Sequence, residues 1–113
     1  MKYVYLIRSE NGKCKIGRTS KKPEDRLKQL QTGSGDILSL AHSFATCNAS
    51  LMERMLHAMY KCKRTNGEWF VLDDSEILAF IRTCHQIEKI IMALEDNPYV
   101  NPVKKKDDEH DNF

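Results

Sequence analysis

Asn11-Gly12 follows a run of β-branched and aromatic residues, Tyr3 to Arg8, and precedes a second extended pattern, Lys13 to Arg18. An Asn-Gly pair in that setting constrains the chain strongly, because both residues tolerate the positive φ that a tight type I′ turn requires. Residues 3–18 are therefore read as a β-hairpin. With a two-residue loop, Ser9 faces Cys14, Ile7 faces Ile16 and Tyr5 faces Arg18, which puts Lys15 on the opposite face from Tyr5. Only a bulge or a longer loop would return Lys15 to the face of Tyr5.

Beyond the hairpin, Pro23 with Glu24 and Asp25 has the composition of a helix first turn, where a missing amide is harmless and acids complement the dipole. That helix is expected to run to about Thr32, with Gly33 as a left-handed cap and Leu27 and Leu30 turned inward. Ile37 to Thr46 reads as a third strand with Leu38, Leu40 and Phe44 on one face. A second helix, capped by Asn48 or Ser50, carries Leu51, Met52, Met55, Leu56, Met59 and Tyr60 as an apolar stripe. At about 100° per residue, Glu53 and His57 share the border of that stripe. A turn at Thr65-Asn66-Gly67 leads to a short strand, Glu68 to Leu72, and Asp73 or Asp74 caps a third helix over about 75–96. Its apolar residues, from Ile77 to Leu94, span too few heptads for a coiled coil, so docking on the sheet is favoured over a homodimer through this helix.

The pattern gives one domain over 1–96, followed at 97–113 by a tail rich in Pro, Lys and acids that reads as disordered. No apolar run nears the roughly 20 residues a membrane span needs, and an intracellular protein is expected. The four cysteines lie far apart with no C-x-x-C pair, so reduced, mostly buried thiols are expected rather than a zinc site or disulfide framework. The formal net charge is only +2, but residues 1–36 hold nine Lys and Arg against four acids, while residues 74–113 hold five against nine. That asymmetry suits a basic face that collects a polyanion and an acidic end that avoids it.

Tyr3-Val4-Tyr5, Lys15-Ile16-Gly17-Arg18-Thr19, Arg26, Glu53 and Asn66-Gly67-Glu68-Trp69-Phe70 occur in an order and spacing that resembles the GIY-YIG endonuclease superfamily, in particular its short phage- and virus-type members. The likeness covers residues 3–73. It implies an α/β (α+β) domain, a small three-stranded and mainly antiparallel sheet flanked by helices. It also implies a nuclease that hydrolyses phosphodiesters of nucleic acid, DNA ahead of RNA, with Mg²⁺ or Mn²⁺. On this resemblance Glu53 is the metal ligand, Arg26 stabilises the phosphate, and Tyr5 orients or deprotonates the attacking water. Each residue type suits its role: a carboxylate is a hard ligand for Mg²⁺, and a guanidinium presents a planar fork of donors to phosphate. His57, one turn after Glu53, is a candidate proton donor, and Asn66 aligns with the asparagine that ends the motif set. Lys15 stands where the second-motif tyrosine belongs, and an ammonium cannot copy a phenol as both donor and acceptor. Lys15, Arg18, Lys21 and Lys22 are expected to contact nucleic-acid phosphates.

Tyr5, Arg26 and Glu53 are accordingly expected to converge on one concave surface lined by Arg18 or Lys15 but not both, and a Glu53 on the opposite side of the sheet from Tyr5 would remove the catalytic reading of the three. Two readings of other classes stand beside the enzyme: a catalytically silent nucleic-acid-binding module of the same fold, and a protein-interaction adaptor using the third helix.

Overall fold

The computed structural model describes residues 1–96, so the tail at 97–113, with its predicted disorder, lies outside the described residues. The hairpin forms from β1 (Lys2–Ser9) and β2 (Cys14–Thr19). Its loop is one residue longer than the two-residue expectation. The Ser9 amide donates to the Lys13 carbonyl at 2.8 Å, and Gly12 takes the positive φ of 91° that closes the three intervening residues. The register shifts by one: Tyr5 lies opposite Gly17, Ile7 opposite Lys15, and Val4 opposite Arg18. Lys15 is thereby on the face of Tyr5, and Arg18 on the other face, which reverses the two-residue-loop assignment.

The sheet has five antiparallel strands in the order β3-β1-β2-β5-β4, where β3 is Leu38–Thr46, β4 Arg64–Asn66 and β5 Trp69–Phe70. The three expected strands form its core, and the short β4 and β5 extend it at one edge. A register shift between Leu6 and Ile7 of β1 leaves Ala41 of β3 without an opposite residue. The bulge splits the expected Leu38, Leu40 and Phe44 face: Leu38 and Leu40 join Tyr5 and Ile7, while Phe44 joins Val4 and Leu6. His42 follows Phe44 and stacks on Phe80, with ring centroids 5.9 Å apart.

Each face of the sheet is covered. Helix α1 (Pro23–Thr32) lays Leu27 and Leu30 over the Tyr5, Ile7 and Leu38 face. Gly33 ends it with φ −94°, outside the left-handed region. On the opposite face α2 (Ala49–Met59), α3 (Asp74–Leu78) and α4 (Phe80–Glu95) enclose the larger core of Val4, Leu6, Ile16, Met52, Leu56, Phe70, Phe80 and Ile87. The predicted third helix is thus two, broken at Ala79, after an Asp73 N-cap whose reciprocal bonds with Glu76 form a capping box. Cys14 and Cys84 are buried and Cys47 and Cys62 exposed; all four are free, so half rather than most of the thiols are buried. No helix among the described residues is long and apolar enough to cross a membrane.

Candidate nucleic-acid interface and active site

Strand β2 organises the charged side chains, because alternation along it sends Lys15 and Gly17 toward α1 and Ile16 and Arg18 toward α2. Strand β5 pairs with β2 only at Cys14 and Lys15, so the outer edge from Ile16 onward is met by side chains and by the segment entering β5. The Ile16 amide donates to the Glu68 carbonyl at 3.1 Å. The Ile16 carbonyl accepts from Nε2 of His57 at 2.8 Å, which fixes the proton on that nitrogen and ties α2 to the strand. The same ring lies 5.0 Å from that of Phe70. His57 is therefore engaged structurally through Nε2, with Nδ1 left for other chemistry.

Glu53 is the one acidic residue in the buried set of the described chain, only 6% exposed. The amphipathic period of α2 places it beside Met52, and Arg18 Nη1 donates to its Oε1 at 2.7 Å. Burial first, and the nearby charge of Glu68 second, raise the Glu53 carboxyl above the ordinary glutamate value, against the lowering effect of Arg18 and His57. Glu68 is held in turn by Lys15 Nζ at 3.0 Å, and the same ammonium lies 5.7 Å from the Trp69 ring centroid. Lys15 thus makes an ion pair and a cation–π contact on the Tyr5 face.

Tyr5 is 1% exposed, packed under α1. Its ring crosses the bare backbone of Gly17: a Cβ there would lie 2.4 Å from the hydroxyl oxygen. Among the described residues the hydroxyl has no hydrogen-bond partner. A buried phenol normally finds one. Its ring lies over Gly17, which makes the glycine a requirement of the arrangement.

A basic cavity of about 390 Å³ opens where β2 leads into α1, lined by Lys2, Arg18, Thr19, Ser20, Lys21, Arg26 and Gln29. Arg26 projects into it from the first half of α1, with Nη1 donating to Gln29 Oε1 at 3.2 Å. Lys21 lines the cavity, whereas Lys22 is the exposed N-cap residue of α1 and is absent from its wall.

The predicted residues are therefore gathered differently from the expectation of one concave surface. Tyr5 and Arg26 belong to the α1 side of the sheet, and Glu53 belongs to a helix packed on the other side, so the expected joint site of Tyr5 with Glu53 is not formed, and of Arg18 and Lys15 only Arg18 lines the cavity. Arg18 joins the two groups, because it lines the cavity with Arg26 and also bonds Glu53. Asn66 is not brought in: it is exposed, accepts from the Thr65 hydroxyl at 3.2 Å, and lines a separate cleft with the hairpin turn. Lys2 and Gln29 were not singled out from the sequence, and Glu68 was quoted only as part of the closing motif. Lys2 pairs with Thr46 of β3 and not within the hairpin, so no local signal marks it, whereas the Asn66-Gly67-Glu68 turn signals Glu68.

Among the described residues no cluster of three or more His, Cys, Asp or Glu is arranged to hold a metal ion. The Glu53 carboxylate has the oxygen character that suits Mg²⁺, and Arg18 occupies its Oε1, so that bond would have to break before a cation could take its place. Comparison with curated proteins and with solved structures returned no match. A model of the T5orf172 domain matches residues 2–97, all but the first of the described residues, and the chain belongs to that family, a phage-type, nuclease-like domain related to GIY-YIG and HNH-type endonucleases.

Proposed function

We propose that the protein is a divalent-metal-dependent endonuclease of the GIY-YIG type that hydrolyses phosphodiester bonds of DNA. The observation that carries this reading is the basic cavity holding Lys2, Arg18, Lys21 and Arg26, which Arg18 connects to the buried Glu53 carboxylate. A cavity with four cationic side chains and two hydroxyl-bearing residues suits a phosphate backbone. A cation held by Glu53 would neutralise the phosphate and polarise its oxygens. Arg26 binds and orients the phosphate from α1. Tyr5, buried on the Gly17 backbone and outside the wall of the cavity, would need that edge to open before its hydroxyl could orient the attacking water. Lys15, bound to Glu68, holds that acid rather than replacing a phenol.

A second reading is favoured by one feature. Glu53 and Glu68 are each neutralised by a cation of the chain itself, Arg18 and Lys15, which is the arrangement expected of a silent nucleic-acid-binding module. The two readings separate on labelled single- and double-stranded DNA and RNA incubated with Mg²⁺ or Mn²⁺. The nuclease reading expects metal-dependent scission, greatest on DNA and lost in Arg26→Ala. Binding without scission on every substrate, with either metal, selects the silent module.

A further inference from the structure

Arg18 has two demands on one guanidinium. Its Nη1 lies 2.7 Å from Glu53 Oε1, yet its side chain remains 49% exposed and forms part of the wall of the basic cavity. A guanidinium carries five donors in a fixed plane and grips a phosphate through two of them at once. A phosphate in the cavity would meet Lys2, Lys21 and Arg26 as well, so it competes for Arg18 on favourable terms. Glu53 in contrast is 6% exposed, and Arg18 is the cation it bonds. Removing that partner leaves a buried carboxylate that is costly unless another cation replaces it.

We propose that Arg18 is shared between two sites, neutralising Glu53 while the cavity is empty and passing to a nucleic-acid phosphate when one binds, which uncovers Glu53 for a divalent cation. The inference rests on the nuclease reading for the identity of the anion and the cation. It makes phosphate and metal binding mutually reinforcing, since each favours the arrangement in which Arg18 has left Glu53, and such coupling is reciprocal. It also keeps the carboxylate covered in the absence of substrate.

The test needs neither metal nor turnover. Affinity for a short fluorescent DNA duplex is measured by anisotropy in EDTA for the wild type, Glu53→Gln, Arg18→Gln and the double variant, each checked for cooperative thermal unfolding. Glu53→Gln releases Arg18, so binding should tighten on the order of fivefold, the lower end of typical coupling between sites. In the Arg18→Gln background the same substitution should change affinity little. An equal gain in both backgrounds would mean that loss of a negative charge alone acts at long range, and would overturn the proposal, as would no gain at all. Should Glu53→Gln fail to fold, Glu53→Asp, which shortens the carboxylate arm and weakens the pair, takes its place in the same cycle with the same two outcomes. A selective gain in a protein that cuts nothing would retain the shared arginine and remove the nuclease reading.

Discussion

Gly17→Ala tests the arrangement of β2 against Tyr5. The backbone of Gly17 is in a conformation open to alanine, so no φ strain enters. A Cβ would lie 2.4 Å from the Tyr5 hydroxyl oxygen, 2.6 Å from Cζ and 3.0 Å from Cε1, so the oxygen alone is about 1 Å inside ordinary van der Waals contact. The ring cannot turn aside cheaply, because it is buried beneath Leu27 and Leu30 of α1. Overpacking of this kind costs about 1–3 kcal/mol, and a displacement near 1 Å belongs at the upper end. Replacing glycine with alanine returns about 0.4–1 kcal/mol by restricting the unfolded chain, which leaves a net loss of about 2 kcal/mol. For a domain of this size that lowers the midpoint of thermal unfolding by about 8–10 °C. Differential scanning fluorimetry with urea denaturation measures it, and the cycle is closed with Tyr5→Leu, which removes the ring. In that background Gly17→Ala should cost nothing or stabilise slightly. A wild-type midpoint for Gly17→Ala, or the same loss in both backgrounds, would refute the packing argument.

Two further outcomes follow from the charges. Charge reversal at Lys21, which lines the cavity, should weaken DNA binding and reduce its salt dependence, whereas reversal at Lys22 should do less; affinities titrated against NaCl check this, and equal effects would contradict the geometry of the cavity. Glu53 has a raised folded-state pKa, so its contribution to stability is full below the unfolded value near 4.3 and is lost as pH rises through the folded value. Glu53→Gln should therefore unfold at a higher temperature than the wild type at pH 7, and the difference should close as pH falls toward 4; a difference that instead grows in acid would show that the carboxylate is stabilised by folding.

The hairpin, α1, β3 and α2 were legible because their signals are local: Asn11-Gly12, Pro23 with its acids, and the apolar period of residues 51–60. What escaped was set by small local choices with long consequences. A single extra loop residue reverses the face of every side chain in β2, so Lys15 and Arg18 exchanged sides. One bulge at Ala41 divides a strand face that looks continuous in sequence. Strand β4 comprises three residues, too short for any period to register, and β5, expected over Glu68 to Leu72, covers only Trp69–Phe70. The break at Ala79 has no glycine or proline to announce it. For the site, Tyr5, Arg26 and Glu53 were visible as residue types in order, but Arg18 as the link between them depends on pairing across 35 residues of sequence, which no local pattern encodes.

Metal-dependent phosphodiester hydrolysis at Glu53 is read from the conversion of supercoiled plasmid to nicked and linear forms by wild type and Glu53→Gln. Both proteins are compared at concentrations that saturate DNA binding, with Mg²⁺, Mn²⁺ or EDTA. The account predicts cleavage by the wild type with either metal, none in EDTA, and a loss on the order of a hundredfold or more in Glu53→Gln, the scale of removing one strong electrostatic contact to a transition state. Equal cleavage by the two proteins, or none by a folded wild type that binds the plasmid, would contradict it.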